Sequence, residues 1–345
     1  MSNTPTISPV QIPTVGSTEN IFHVEIGFPG LASPTTVQLD TGSIGIVLSA
    51  SLFYEPGTYN YVSATNTVTG TLLPGITIGD AVTVTYQPSS NDINGFYYTI
   101  DTLQIGFDAN NQPVALASSI QVVGATSATP HMMGIGFGRP KSYGQNPFLN
   151  INGMDSGAMY ASMLLTTQGI WLGCTPSQAA MQLPHSTFGF QKLSFQGASP
   201  QPLNSSQWTT PTGNFSVTGA TDTQTNDYTI LVDTGLELMM LESGIASSYF
   251  TEGAIVTVGI PVIPNNMNVS YSFEITGTAQ VQLGSGSTLT NVYTTSAVSG
   301  GPTPPTYVAP IGSSNFVNTG IHLLSGYQLF FDAVVGQVGY AAYPA

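Results

Sequence analysis

Basic side chains are nearly absent from this chain. Three Lys and Arg residues stand against 17 Asp and Glu among 345 residues, and only 6% of the sequence is charged. Polyanions are held by basic patches, so neither nucleic acid nor an anionic membrane surface is an expected partner. Arg139, Lys141 and Lys192 are spread along the chain and make no such patch. The same shortage mutes acid unfolding. Once the carboxylates are protonated, only those three side chains and four histidines carry positive charge, so self-repulsion at low pH stays small. The balance suits an exported acidic protein and permits work in acid.

Cysteine is the second scarcity. Cys174 stands alone, which excludes an intramolecular disulfide. Its place at the end of Ile170-Trp171-Leu172-Gly173-Cys174 reads as a buried, inert thiol. No apolar run reaches the length of a membrane-spanning helix. Residues 1–20 show neither the basic start nor the apolar core of a signal peptide, so compartment has to follow from function. The histidines His23, His131, His185 and His322 have no metal-binding spacing. A Gly-x-Ser-x-Gly elbow for a serine nucleophile is missing. Gly134-x-Gly136-x-Gly138 has neither the spacing nor the following helical pattern of a dinucleotide loop. No metal and no cofactor is expected.

What the chain has in quantity is Gly (38), Pro (24) and short alternating runs. Val82-Thr83-Val84-Thr85-Tyr86 and Ala279-Gln280-Val281-Gln282-Leu283 are of this kind, and long amphipathic helical stretches are scarce, so the fold is predicted to be all-β. The length suits two domains, each with its own core. Residues 1–20 read as an arm or an extended edge strand. A strand-rich block runs from Ile21 to about residue 130, with turns at Glu55-Pro56-Gly57, Leu73-Pro74-Gly75 and Asn110-Asn111. The stretch from His131 to Asn152 reads as loop, and Ala158 to Gly173 as the crossing between halves. A second strand-rich block extends from Phe188 to the end, broken by proline loops at 261–264 and 302–305.

One internal similarity stands out: Asp40-Thr41-Gly42 and Asp233-Thr234-Gly235, 193 residues apart. Apolar runs flank each copy, with Val37 and Leu39 then Ile44 through Leu48, and with Ile230 through Val232 then Leu238 through Leu241. A single copy is an ordinary turn. Two copies, each between strands, place two carboxylates on loop tips that facing halves can bring together. Two like charges at close range do not both ionise easily, so one keeps a proton and the other loses it.

These residues resemble the pepsin-like aspartic proteases, and the resemblance covers both halves in order. Phe22-His23-Val24-Glu25-Ile26-Gly27 followed by Asp40-Thr41-Gly42-Ser43 is similar to the family's opening. Val84-Thr85-Tyr86 resembles the start of its flap hairpin. Asn94-Gly95 and Asp101-Thr102-Leu103-Gln104-Ile105-Gly106 resemble the flap's return and the strand after it. Met133-Gly134-Ile135-Gly136-Phe137-Gly138 is similar to the apolar-Gly element that threads the first lobe, and Gly320 to Ala341 to the closing strands. The resemblance implies two β-barrel-like lobes, 1–175 and 176–345, related by a pseudo-two-fold axis with the cleft between them. It implies Asp40 and Asp233 as the catalytic pair, with Thr41 and Thr234 bonding across the interface. Gly42 and Gly235 would leave room beside the carboxylates, Ser43 would donate to Asp40, and Tyr86 would close over the substrate. Peptide hydrolysis by an activated water, best in acid, is the implied activity, carried out on polypeptides by a secreted or cell-surface monomer. The missing disulfides fit a bacterial-type member. A pepsin fold kept as a catalytically inactive binding or surface module is the alternative.

Four departures bear on the site. Leu236 stands where the family usually has Thr or Ser, so Asp233 is expected to lack the donor that Ser43 gives Asp40 and therefore to hold the proton. Val47 stands where a Trp often bonds the flap tyrosine, and residues 87–92 differ from the usual flap tip. Glu237, beside the second motif, reads as a solvated loop residue.

Overall fold

The computed structural model describes residues 6–15, 22–86, 91–127, 131–139, 143–166, 169–183, 186–196, 208–218, 228–263, 269–283, 288–298 and 302–343. The fold is all-β, as the alternating runs predict, with only short helices such as Asn152–Asp155 and Pro176–Gln182. The second of these starts from a capping box. Thr175 and Gln178 satisfy each other's end groups ahead of Pro176, whose missing N–H costs nothing in the first turn.

Three sheets carry the architecture. The first has seven strands in the order His23–Gly27, Thr35–Asp40, Met132–Ile135, Ile44–Ser49, Pro113–Ala125, Asn91–Phe107 and Ile76–Tyr86. A further pairing of Ile26 with Ile105 curls its ends toward one another. The second is a closed eight-stranded barrel built from segments between Thr212 and Asn318. The third has six strands and draws on remote parts of the chain. Val10–Ile12, Gly169–Leu172 and Ser162–Thr166 pair onward to Tyr327–Asp332, Gln337–Ala342 and Phe188–Lys192. Val10–Ile12 is an edge strand of this sheet, which fits one of the two readings of the first residues. The segment read as a crossing enters the same sheet as a hairpin, pairing Leu164 with both Trp171 and Phe330.

The reading of 131–152 as loop is corrected. Met132–Ile135 is a strand, parallel to Thr35–Asp40 and antiparallel to Ile44–Ser49, wedged between the two strands that flank Asp40. Gly134 makes this possible, since a Cβ there would lie 2.6 Å from Ser43 Oγ. The barrel repeats the arrangement. Phe316–Asn318 runs parallel to Tyr228–Leu231 and antiparallel to Met239–Glu242, between the strands flanking Asp233. Each Asp-Thr-Gly loop is therefore pinned by a third strand inserted behind it.

Packing beneath these strands is continuous and aromatic. Phe53 stacks on Tyr98 at 4.4 Å, and Phe137 on Phe331 at 4.2 Å, the latter joining the inserted segment to the six-stranded sheet. Phe250 stacks on Tyr293 at 5.0 Å inside the barrel. Side chains of this size bury enough apolar surface to hold the loops from below, each contributing on the order of 1.5–3 kcal/mol when fully buried. No helix among the described residues is long and apolar enough to cross a membrane.

Candidate functional site

Both Asp-Thr-Gly loops turn inward and meet. Asp40, Thr41 and Thr234 are buried, and Asp233 is 9% exposed. The two threonines exchange the same set of bonds. Thr41 N–H donates to Thr234 Oγ1 at 3.0 Å, and Thr234 N–H donates to Thr41 Oγ1 at 3.0 Å. Thr41 Oγ1 then donates to the Val232 carbonyl (2.6 Å) and Thr234 Oγ1 to the Leu39 carbonyl (2.8 Å). Each hydroxyl thus accepts from one loop's backbone and gives to the strand that enters that loop. Four buried backbone groups are satisfied this way.

The carboxyls face one another across the loops. A methyl group added to Gly42 would lie 2.6 Å from Asp233 Oδ1, and one added to Gly235 would lie 2.7 Å from Asp40 Oδ1. Instead, each glycine presents its N–H to its own loop's carboxylate: Gly42 to Asp40 Oδ1 at 2.6 Å and Gly235 to Asp233 Oδ1 at 2.9 Å. Gly42→Ala is expected to push the Asp233 carboxyl aside and lower any turnover by the pair at least about 100-fold, the penalty of an ångström-scale misplacement. Steady-state kinetics with a thermal unfolding check measures this.

Burial, then the neighbouring Asp233 charge and the hydrogen bond between the two carboxyls, lift the Asp40 carboxyl well above the ordinary carboxylate range. The bonds that Ser43 and Gly42 make to it pull the other way and do not win. Ser43 Oγ reaches Asp40 Oδ2, as the sequence implied.

Asp233 does not lack an outer donor, and here the sequence expectation is corrected. Asn318 Nδ2 donates to Asp233 Oδ2 at 2.6 Å. Leu236 occupies the loop position that corresponds to Ser43, but the inserted strand Phe316–Asn318 supplies the missing N–H from behind. Gly320 belongs to the same turn, with φ +59° and no room for a side chain against the Leu236 and Leu238 carbonyls (2.7 Å). Nothing around Asn318 in sequence marks this role, because it depends on strand register 85 residues from Asp233.

Tyr86 ends the strand Ile76–Tyr86 and pairs with Asn91, and the residues between, 87–90, lie outside those described. Its hydroxyl is buried. Burial, followed by the Asp40 charge, raises the phenol's pKa, and Ser43 interacts with it. Beside Tyr86 stands Tyr143, another residue that sequence reasoning missed. Tyr143 lies 6.4 Å from the Tyr86 ring and accepts the Thr85 N–H at 3.2 Å. Val47 joins the same apolar cluster with Val84, Val123 and Ala125. Beyond the second loop, Leu236, Leu238 and Met240 form another apolar cluster with Val281 of the strand Val269–Gln282, Leu283 just after it and Leu289 of the strand Thr288–Ala297.

Remaining polar residues fall into place around this centre. Arg139 is largely desolvated, which lowers its pKa, while Asp233 and Asp40 both act on it electrostatically in the opposite sense. Glu237 is exposed, and its backbone carbonyl bonds His322 Nε2. Cys174 is buried, and burial pushes its thiol up to about 11, in keeping with an inert side chain. His185 and Lys141 lie outside the described residues. No group of three or more metal-ligating side chains occurs among the described residues. No protein-family model matches the chain, and no curated protein matches it significantly.

Proposed function

We propose that this chain is an aspartic endopeptidase of the pepsin-like type, two lobes of like construction joined at a cleft. The observation that carries the reading is the carboxyl pair, Asp40 and Asp233 each set against the other loop's glycine and held by the reciprocal Thr41 and Thr234 bonds. Support also comes from the three-strand arrangement behind each loop, repeated in the two halves.

A peptide in extended form would lie along the cleft beneath Tyr86, its backbone held by strand-like bonds. The ionised carboxylate of the pair takes a proton from a water, which attacks the scissile carbonyl carbon. The protonated partner gives its proton to the forming oxyanion, and proton return to the nitrogen lets the amine leave. Neither a covalent intermediate nor a cofactor is needed. Because one proton must be present and one absent, activity falls on both sides of an acidic optimum, and the two limbs belong to the pair. We place the enzyme, as part of the same proposal, outside the cell or on its surface and acting as a monomer.

The test is incubation of an unfolded protein with the chain across about pH 3–7, the range in which such a pair is half-ionised, with and without pepstatin. Cleavage in the acidic part of the range, blocked by pepstatin, is expected. No cleavage at any pH in a folded sample would overturn the enzyme reading in favour of a binding module.

A further inference from the structure

We propose that Asn318 is a positioning residue that keeps Asp233 as the ionised base and leaves the shared proton on Asp40, an assignment that rests on reading the pair as a proteolytic dyad. Two bonds fix the Asn318 amide. Gly320 N–H donates to its Oδ1 at 2.9 Å, so the other end, turned toward Asp233 Oδ2 at 2.6 Å, is the NH2 group. An amide nitrogen only donates. A proton on Asp233 Oδ2 would confront it donor to donor, and Asp233 Oδ1 already takes the Gly235 N–H. Both oxygens of Asp233 are therefore surrounded by hydrogen donors, the surroundings of a carboxylate.

Asp40 is placed differently. Its Oδ2 partner is the Ser43 hydroxyl, which accepts as readily as it donates and so tolerates a protonated Asp40. The other groups bearing on the pair do not reverse the assignment. Tyr86, above Asp40, is a neutral phenol over the whole working range, and Arg139 is a cation on which Asp233 acts more strongly than Asp40. The outer donor has thus been exchanged between the halves: a loop hydroxyl at Ser43 serves one carboxyl, and an inserted-strand amide at Asn318 serves the other.

Neutron diffraction from deuterated crystals of the unmodified protein grown near pH 4.5 is the direct test. Deuterium on Asp40 and none on Asp233 is expected, and deuterium on Asp233 overturns the proposal. This result does not depend on turnover, so a protein that cleaves nothing defeats the protease reading without deciding the proton's place. Kinetics supplies the second arm. Asn318→Leu is expected to move the acidic limb of the kcat/KM profile upward by about one pH unit, because the ionised form loses its donor. Adding Leu236→Ser, which restores a hydroxyl at the loop position, is expected to bring the limb back. A folded Asn318→Leu variant with an unshifted limb overturns the proposal. A variant that does not fold leaves the neutron map to decide.

Discussion

Asp40→Asn is expected to abolish peptide cleavage and, at neutral pH, to make the fold more resistant to heat. The amide has the carboxyl's shape but gives up no proton to an oxyanion, so the loss of acid–base function in kcat/KM should reach about 10³- to 10⁴-fold. The stability effect follows from the raised proton affinity of Asp40. Folded chains hold this proton to a higher pH than unfolded ones. The stability it contributes is complete below the ordinary carboxylate range, near pH 4, and is lost as pH rises through the folded-state value. An asparagine has nothing to lose on that climb. Unfolding curves of the two proteins should nearly coincide at pH 3 and separate by a few degrees at pH 7, with the variant higher. A variant that still digests an unfolded protein at the parent rate, or that melts lower than the parent at pH 7, contradicts the account.

Thr41→Val is expected to be the most damaging single change to stability among the loop residues. It keeps the side chain's volume and removes the hydroxyl, so the Thr234 N–H and the Val232 carbonyl lose their partners together in a buried place. Two stranded polar groups cost about 2–6 kcal/mol, a large share of the roughly 5–15 kcal/mol that holds a typical protein folded. Thr41→Ser retains the hydroxyl and should stay within about 1 kcal/mol of the parent, allowing for the lost methyl. Urea titration followed by fluorescence gives both numbers. Equal midpoints for the valine and serine variants would show that the crossed bonds carry little weight.

Much of the site could be read from the chain because it is written in short contiguous motifs. Asp-Thr-Gly sits between apolar runs in both copies, and alternation in segments such as Val82–Tyr86 betrays strands at once. Legibility ends where a role depends on register. Asn318 is an unremarkable residue until Phe316–Asn318 slides between two other strands and brings an amide to Asp233. Reading Leu236 as a missing donor for Asp233 followed from seeing the loop alone. Tyr143 reaches Tyr86 and the Thr85 N–H from a segment with no periodicity to announce it. Met132–Ile135 was hidden for another reason. Four residues with a glycine among them and another just after have the composition of a loop, and only the close approach that Gly134 permits turns them into a strand.

The six-stranded sheet and the crossed threonines have one more consequence, for the order of events in synthesis. Strands Tyr327–Asp332 and Gln337–Ala342 pair with segments made more than a hundred residues earlier. Such distant partners close late in folding. The crossed threonines are 193 residues apart, so Asp40 stands without its counterpart until the second loop has been made and has met the first. A nascent chain that stops short of Asp233 therefore cannot form the carboxyl pair, whatever chemistry that pair carries.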